Sequence, residues 1–321
     1  MTDSRALYQL AVPDLSNAAS SPKFSIIIPV YNDWLSLNEC LRSLARQASA
    51  PSFEVIIVDD GSREAAPKFI SKWNEHYSLT VIRESHAGIS LARNRGIQAS
   101  KAPILLFVDA DCRLDLKCLQ MLERTMDALP QQNYFQLHLV GDCSNGTVGK
   151  AEELRLMALQ IQFIQLDNSV RYLNTAGFAV RPNKADSDAG LFDPIAIRAE
   201  DTLLLANLIR RDELPSFVPD AIVQHAIPLC VIAYLRKAMH SAYLEGKTFD
   251  IISSTGVAIR LGHRERLRML GLTWKLSADK KIGRTAWFVL LTRQTLRWIA
   301  IFCYQHLRPK CSWSRTFANS V

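Results

Sequence analysis

Two aspartates separated by one residue, Asp109 and Asp111, directly follow the apolar run Pro103–Val108. Two carboxylates this close at the end of a buried segment repel each other unless a cation offsets their charge. Oxygen ligands of this kind select Mg²⁺ or Mn²⁺, and such an ion can stabilise a departing diphosphate. A solvated acidic turn with a capping aspartate explains the same pattern, and the pair alone does not decide between the two.

A second acidic turn, Asp59-Asp60-Gly61-Ser62, ends another apolar run. A carboxylate at this place can accept a hydrogen bond from a nucleobase N–H or a ribose hydroxyl. Aspartate, glycine and serine are also ordinary turn and N-cap residues. A strand-to-helix turn whose Ser62 caps the next helix is therefore the simpler interpretation of this motif taken by itself.

Glu200 and Asp201 stand at the predicted start of a helix, and His225 follows a short apolar strand. Carboxylates at a helix start gain from the helix dipole, which is a sufficient structural reason for them. A carboxylate there can also act as a general base on an acceptor hydroxyl. His225 suits either a structural role or a third metal ligand.

Several common catalytic motifs are missing from the sequence. It has no G-x-x-x-x-G-K-[ST] loop, no G-x-G-x-x-G after the first strand, no G-x-S-x-G elbow and no H-E-x-x-H. These absences count against P-loop enzymes, Rossmann dehydrogenases, serine hydrolases of the elbow type and zinc proteases.

The elements that must position these residues alternate along the first third of the chain. Short apolar runs predict buried strands, and segments of helical periodicity lie between them, at Trp34–Gln47, after Ser62 and at Ile89–Ala99. This order predicts an α/β fold with a Rossmann-like, mostly parallel sheet and helices on both faces. Ligands of such sheets bind at the carboxyl ends of the strands, so the acidic loops should meet at one edge. The predicted strands are Phe24–Tyr31, Phe53–Val58, Leu79–Arg83, Pro103–Val108, Tyr134–Asp142, Asn174–Arg181 and Phe217–His225; the later predicted helices are Leu114–Leu129, Glu152–Leu166, Ala199–Arg211 and Val231–Gly246.

Length and composition leave room for one large α/β domain and an appendage. The 321 residues are 48% hydrophobic and 21% charged, which is ordinary for a globular protein. The seven cysteines form no CxxC pair, as expected in a reducing compartment. With no secretory signal and no standard transmembrane run in the sequence, we expect a cytoplasmic protein.

The C-terminal part of the chain is strongly basic. From Val257 onward, 13 lysines and arginines stand against two acids, and four of the six tryptophans lie here. Within Thr285–Tyr304, Arg293 and Arg297 share one helical face with apolar residues around them. This pattern is typical of a peripheral membrane helix, or of a helix that packs on the domain or on a second subunit. Nucleic acid is not an expected partner, because no nucleic-acid motif accompanies the charge.

Taken together and in order, the motifs resemble glycosyltransferase family 2, whose members have the GT-A fold. The donor half of that family is matched by FSIIIPVYND, FEVIIVDDGS, HAGISLARNRGI and ILLFVDAD, and the acceptor half by NTAGFAVRP, GLFDP, AEDTLLLANLIR and PDAIVQH. The resemblance predicts a flexible tail over 1–22, a GT-A domain over 23–250 and a basic helical extension over 251–321. The donor half takes about 23–130 and the acceptor half about 131–250.

The resemblance also implies roles for single residues. Pro29 and Tyr31 would surround the uracil and ribose of the donor, while Asp60, with Asp59 beside it, would read the uracil. Arg93 and Asn94 would lie near the nucleotide and the diphosphate. Asp109, Asp111 and His225 would bind a Mg²⁺ or Mn²⁺ ion, and Asp201 would be the catalytic base. Two departures from the family pattern are the polar, acidic segment RPNKADSDAG before GLFDP, and Arg198-Ala199 in place of a glycine before Glu200.

The function implied is an inverting, single-displacement transfer of a sugar from a nucleotide-diphosphate sugar. A uridine diphosphate sugar is the default donor of the family, and the acceptor is a glycan or a lipid-linked molecule, as in polysaccharide biosynthesis. Two alternatives remain. A nucleotidyltransferase normally has a Gly-rich basic loop after the first strand; this chain has VYNDW there, which counts against that function. A non-catalytic nucleotide-sugar-binding scaffold would not need Asp109, Asp111 and Asp201 together, so their presence counts against the second alternative.

Overall fold

The computed structural model describes residues 21–183, 186, 190–196, 198–257 and 263–306. The predicted flexible tail lies outside these ranges except for residues 21 and 22. The strands are β1 (Phe24–Val30), β2 (Phe53–Asp59), β3 (Ser78–Arg83), β4 (Ile104–Val108), β5 (Cys112–Leu114), β6 (Tyr134–Gly141), β7 (Gly177–Val180) and β8 (Ser216–His225). The α-helices are α1 (Trp34–Ala45), α2 (Ile89–Ala99), α3 (Cys118–Ala128), α4 (Gly146–Phe163), α5 (Glu200–Arg210), α6 (Val231–Ser254), α7 (His263–Leu276) and α8 (Arg284–His306).

All eight strands form one sheet in the order β3-β2-β1-β4-β7-β6-β8-β5. The strands β1 to β4 are parallel neighbours, as the sequence predicts. Strand β7 runs antiparallel to both β4 and β6, and β5 runs antiparallel to β8, whereas β6 and β8 are parallel. The prediction of an α/β fold with a mostly parallel sheet is confirmed, with the antiparallel strands in the second half of the chain.

Both faces of the sheet are covered by helices, so the central strands are apolar on both sides. In β1, Ile26 and Ile28 join a core with Leu37 of α1 and Leu119 of α3. The intervening Ile27 points to the other face and packs in a second core with residues of β4, α2 and α5. This two-sided burial explains why the strand reads as an unbroken apolar run rather than an alternating one.

Four predicted helices differ from the structure. The helix predicted to begin at Glu152 begins at Gly146, and the one predicted to end at Gly246 ends at Ser254. No α-helix lies between β2 and β3; a 3₁₀ helix, Lys68–Glu75, begins after Pro67 instead. Ser62 does not cap it, because its hydroxyl oxygen accepts from the Asn32 N–H at 2.8 Å. The helix predicted to begin at residue 114 begins at Cys118, since the preceding Cys112–Leu114 segment pairs with β8.

The C-terminal helices pack against the domain. Helix α6 continues past residue 250 to Ser254, and α8 lies along both α6 and α4. Leu290 of α8 is buried with Leu154 of α4, and Arg297 binds Glu245 of α6 through two hydrogen bonds of 3.0 and 2.5 Å. Within the described residues, no helix is both long and apolar enough to span a membrane. The exposed side of α8 carries the apolar side chains Phe288, Trp298, Ile299 and Phe302.

Candidate active site

The carboxyl ends of β1, β2 and β4 meet at one edge of the sheet, as predicted. Parallel pairing places Val30 beside Asp59, and Pro29 lies buried opposite Val58. Tyr31, the first residue after β1, is 43% exposed, and its ring stacks on that of His86 with 4.3 Å between centroids. An exposed aromatic ring at this edge is a suitable surface for a nucleobase.

The Asp59-Asp60 turn uses its carboxylates within the protein. Asp60 Oδ1 accepts from the Ala87 N–H at 2.8 Å, and its Oδ2 lies 3.1 Å from the Gly88 amide nitrogen and 3.0 Å from His86 Nδ1. The buried Asp59 accepts from the Ser62 N–H at 2.8 Å. Both carboxylates therefore hold the loops around the edge in place, and a direct contact with the donor base stays a prediction.

Arg93 is the buried centre of the site. Its Nη2 donates to Asp109 Oδ1 at 2.8 Å and its Nη1 to Glu200 Oε1 at 2.5 Å, and its side chain is only 1% exposed. Burial alone would lower the pKa of Arg93, but the carboxylates of Asp109 and Glu200 raise it above its ordinary value. The guanidinium thus links the turn after β4 to the first residue of α5.

Asn94, the next residue on α2, is bonded to the backbone of Phe192. Its Nδ2 donates to the Phe192 carbonyl at 2.6 Å, and its Oδ1 accepts from the Phe192 N–H at 3.0 Å. Gly190 passes directly over this amide at φ +82°, and a Cβ there would lie 2.8 Å from it. Asn94 therefore fastens the loop that precedes α5, and its predicted contact with the nucleotide stays a prediction.

Asp111 and His225 are brought together by the pairing of β5 with β8. That pairing sets Cys112 opposite His225, and the Ala226 N–H donates to the Asp111 carbonyl at 2.8 Å. His225 Nε2 lies 3.4 Å from Asp111 Oδ1, while its Nδ1 lies 3.1 Å from Glu152 Oε1 on α4. Burial would lower the pKa of His225, but the two carboxylates raise it to about 10.

This arrangement fits a divalent cation. Asp111 and His225 offer one oxygen and one nitrogen atom, and Glu152 orients the imidazole from behind, as carboxylates behind metal-binding histidines commonly do. The Cys112 sulfur lies within 4.8 Å of both ligand atoms, but it is fully buried, and a thiol is a poor ligand for Mg²⁺ or Mn²⁺. Asp109 is outside this group and pairs with Arg93.

Asp201 lines a cavity of about 710 Å³, together with Asp109, Glu200 and Arg93. Burial raises the pKa of Asp201, and the neighbouring Glu200 adds to this, so that the value is about 7. The Thr202 N–H donates to its Oδ1 at 2.6 Å, and the Thr202 hydroxyl lies 3.2 Å away. A carboxyl group with this pKa can take up and release a proton near neutral pH.

One contributor to the site, Glu152, was not predicted from the sequence, and for two other residues the surroundings were not predicted. Glu152 gave no signal, because a glutamate within a predicted helix is usually a surface residue. Glu200 was noticed as part of a motif, but its partner Arg93 lies 107 residues earlier and the pair forms only in the folded chain. Arg293 was expected on the basic face of a helix that either lies on a membrane or packs on the domain, and it lines the same cavity as Asp201.

The chain is similar to known proteins in sequence and in structure. Residues 25–186 match the family model described as Glycosyl transferase family 2. The uncharacterised glycosyltransferase YibD of Escherichia coli is 37% identical over 93 residues, which are 29% of this chain and 27% of that protein. The matched segment covers only 27–33% of the first curated relatives' own length.

Two solved structures share the fold at low sequence identity. The mannosyltransferase PcManGT of Pyrobaculum calidifontis, in complex with GDP-Man and Mn²⁺, has a TM-score of 0.59 at 17% identity and covers 90% of this chain and 88% of its own. TarS 1–349 of S. aureus, in complex with UDP-GlcNAc, has a TM-score of 0.50 at 17% identity, with 88% and 89% covered. Both similarities extend across the GT-A sheet and into the C-terminal helices.

Proposed function

The chain belongs to glycosyl transferase family 2, and we propose that it transfers a sugar from a nucleotide-diphosphate sugar to an acceptor hydroxyl with inversion at the anomeric carbon. The observation that carries this proposal is that Asp201, whose pKa is about 7, lines the same cavity as Asp109 and Arg93. A proton acceptor and the groups suited to a leaving diphosphate thus line one cavity.

In the proposed reaction, the acceptor oxygen forms a bond to the anomeric carbon while the bond from that carbon to the diphosphate oxygen breaks. The nucleoside diphosphate leaves with the electron pair, and the hydroxyl proton passes to Asp201. Its raised pKa matches this role, because a base works best when its pKa lies near the working pH. One displacement of this kind inverts the configuration and needs no covalent enzyme intermediate.

The departing nucleoside diphosphate must be stabilised by positive charge. Asp111 and His225 would hold a Mg²⁺ or Mn²⁺ ion, with Asp109 as the other member of the D-x-D pair, and that ion would neutralise charge developing on the diphosphate. Arg93, which is held by Asp109 and Glu200 in the same cavity as Asp201, is the second group proposed to offset the diphosphate charge.

For the donor, a uridine diphosphate sugar is the default within the proposal. Pro29 and Tyr31 would surround the base, and the loop held by Asp60 would close around it. The division into a donor half over residues 23–130 and an acceptor half over 131–250 belongs to the same proposal.

The acceptor is proposed to be a glycan or a lipid-linked molecule, as polysaccharide biosynthesis requires. Contact with the cytoplasmic face of a membrane is proposed for the exposed side of α8, where Phe288, Trp298, Ile299 and Phe302 are 41–57% exposed. Apolar side chains beside basic ones are typical of helices that lie at a membrane surface.

The donor site is tested by the thermal stability of the protein with a panel of nucleoside diphosphates, with and without Mn²⁺. We expect one nucleotide to raise the melting temperature in the presence of Mn²⁺, and this gain to be lost in Asp111→Ala. Asp220→Ala, which changes an exposed aspartate on β8, is the matched control and should keep the gain. If no nucleotide stabilises the wild-type protein with any metal, the proposed donor site is wrong.

A further inference from the structure

Asp201 is held in place by the backbone of its own helix. Among the described residues, the hydrogen bonds to its carboxylate come from Thr202, whose N–H and hydroxyl lie 2.6 and 3.2 Å from Oδ1. A side chain that is bonded only by its neighbour in sequence moves with the backbone that carries it. The position of the carboxylate in the cavity therefore depends on how α5 begins.

The residue before α5, Ala199, has a backbone conformation that alanine rarely adopts. Its φ of 59° and ψ of 31° lie in the left-handed region. There the Cβ atom of an L-residue comes too close to the following carbonyl oxygen, a cost that glycine does not have. Such a conformation persists only where the surrounding structure holds it. We therefore looked for the group that holds the backbone in front of Asp201.

Thr248 on α6 makes the contact that this conformation needs. Its side chain is buried, and its hydroxyl donates to the Arg198 carbonyl at 2.5 Å, which fixes the peptide group that precedes Ala199. The peptide group that follows Ala199 is fixed as well, because the Leu203 N–H donates to the Ala199 carbonyl at 3.0 Å. Ala199 is thus held on both sides, from α6 and from the first turn of α5.

The neighbouring anchors of this segment lie before and after it. Ser90 on α2 donates to the Ala196 carbonyl at 2.7 Å, and Arg93 binds the side chain of Glu200. Between these two points, Thr248 is the described residue whose side chain binds the backbone. The C-terminal helix α6 therefore supports the start of α5 at a point that α2 does not reach.

We propose that Thr248 is a positioning residue for the proposed base: its bond to the Arg198 carbonyl keeps Ala199 left-handed and so keeps Asp201 in the cavity. The inference rests on the proposed function, since Asp201 is the base of that reaction. Without the bond, Ala199 relaxes to an ordinary conformation, the first residues of α5 turn, and the carboxylate gains water. A glycine at position 199 would keep the left-handed conformation without this support.

The test follows the titration of Asp201 through protein stability and needs no substrate. The melting temperature of Asp201→Asn is compared with that of its Asp201 parent from pH 5 to pH 8, in the wild-type and in the Thr248→Val background. In the wild type the gain from Asp201→Asn should grow with pH, because burial and Glu200 raise the pKa of Asp201 to about 7. Thr248→Val should remove most of this growth, because a hydrated carboxylate has a pKa closer to 3.8.

This readout reports the position of Asp201, because the variants change none of the charged groups around it. Those groups include Arg93, Arg155, Glu200, Glu245, Arg293 and Arg297, which line the same cavity. If Thr248 contributed to stability alone, Thr248→Val would lower the melting temperatures of the parent and of Asp201→Asn together. Their pH-dependent difference would then stay as in the wild type, and that result would overturn the proposal.

Three further variants assign the effect. Thr248→Ser keeps the hydroxyl and should keep the wild-type growth of the difference. Thr248→Val combined with Ala199→Gly should recover it, because glycine adopts the left-handed conformation unaided. Thr255→Val is the matched control: it removes a hydroxyl that donates to the Ile252 carbonyl at 2.6 Å at the end of the same helix, and it should change nothing. Lack of recovery with Ala199→Gly would exclude the backbone conformation as the cause and overturn the proposal.

Failure of this inference is distinct from failure of the proposed base. If the difference grows with pH in the wild type and equally in Thr248→Val, the role of Thr248 is wrong and Asp201 remains the base. If it does not grow in the wild type, Asp201 lacks the raised pKa, and both assignments are wrong.

Discussion

Arg93 and Glu200 form a buried ion pair, with 2.5 Å between Nη1 and Oε1, that joins the middle of α2 to the first residue of α5. The same guanidinium binds Asp109, so one side chain connects the turn after β4 with the helix that carries the proposed base. Because Arg93 is almost fully buried, both carboxylates depend on it for their charge balance.

Arg93→Met should therefore lower the free energy of unfolding by about 3–5 kcal/mol, as removal of one partner from a buried ion pair does. Urea denaturation measures this. Arg95→Met, on the same helix, breaks the exposed pair with Glu84 and should cost about 1 kcal/mol or less. Equal losses in the two variants would contradict the central role of Arg93.

The rate of transfer should increase as the pH rises through about 7, because Asp201 must be ionised to accept the proton. The profile of kcat/KM against pH measures this. Thr202→Val removes a hydroxyl that lies 3.2 Å from Asp201 Oδ1 and can stabilise the ionised form, so its profile should shift to higher pH. An unchanged profile in Thr202→Val would assign the titration to another group.

The stability of the protein should fall as the pH rises towards 7, and Asp201 is again the group responsible. Folding raises the pKa of Asp201 from 3.8 to about 7, so the protonated carboxyl is favoured in the folded state. Its contribution to stability is complete below pH 3.8 and is lost as the pH rises through about 7. Asp201→Asn keeps a neutral side chain, and its gain in melting temperature over wild type should grow from pH 5 to pH 8. A constant difference across this range would contradict the raised pKa.

Glu152→Gln should weaken Mn²⁺ binding about 10–100-fold, because the carboxylate that orients His225 through Nδ1 is lost. Titration calorimetry with a nucleoside diphosphate present measures the affinity. Glu153→Gln is the matched control, since this neighbour accepts a hydrogen bond from the Gly141 N–H and has no contact with His225. Wild-type affinity in Glu152→Gln would exclude His225 as a ligand.

Asn94→Ala should lower the free energy of unfolding by about 2 kcal/mol, because two hydrogen bonds to the Phe192 backbone are lost. The dissociation constant of the donor nucleotide should stay unchanged, since both polar atoms of the side chain are already engaged. Gln98→Ala, at an exposed position of α2, is the stability control. A large loss of nucleotide affinity with wild-type stability would return Asn94 to the donor site.

The first half of the fold was predictable because its signals are local. Each strand from β1 to β4 is a short apolar run ended by turn residues, and parallel neighbours bring their carboxyl ends to one edge. The three residues of β5 carry no such signal, since they form a strand only where β8 lies beside them. The α-helix expected after Ser62 does not form, and the Ser62 side chain is used elsewhere, because its hydroxyl accepts from the Asn32 N–H after β1.

The site residues also form two groups, those indicated by a local motif and those whose role appears only in the folded chain. Asp109, Asp111 and Asp201 were predicted from motif and position, and the structure places Asp109 and Asp201 in one cavity. Glu152 and Arg293 were not assigned to the site, because their significance depends on side chains that are distant in sequence. For Arg293, the sequence showed a basic and apolar helix, but the cavity that this residue lines is formed together with five other helices, α2, α4, α5, α6 and α7.

The pairing of β5 with β8 also sets an order of assembly during synthesis. Strands β1 to β4 emerge from the ribosome together and can form their parallel sheet at once, but β5 has to wait for β8, which is made much later. Until then Asp111 has no His225 beside it. In a nascent chain, the loops after β1, β2 and β4 can therefore form before the two proposed cation ligands, Asp111 and His225, meet.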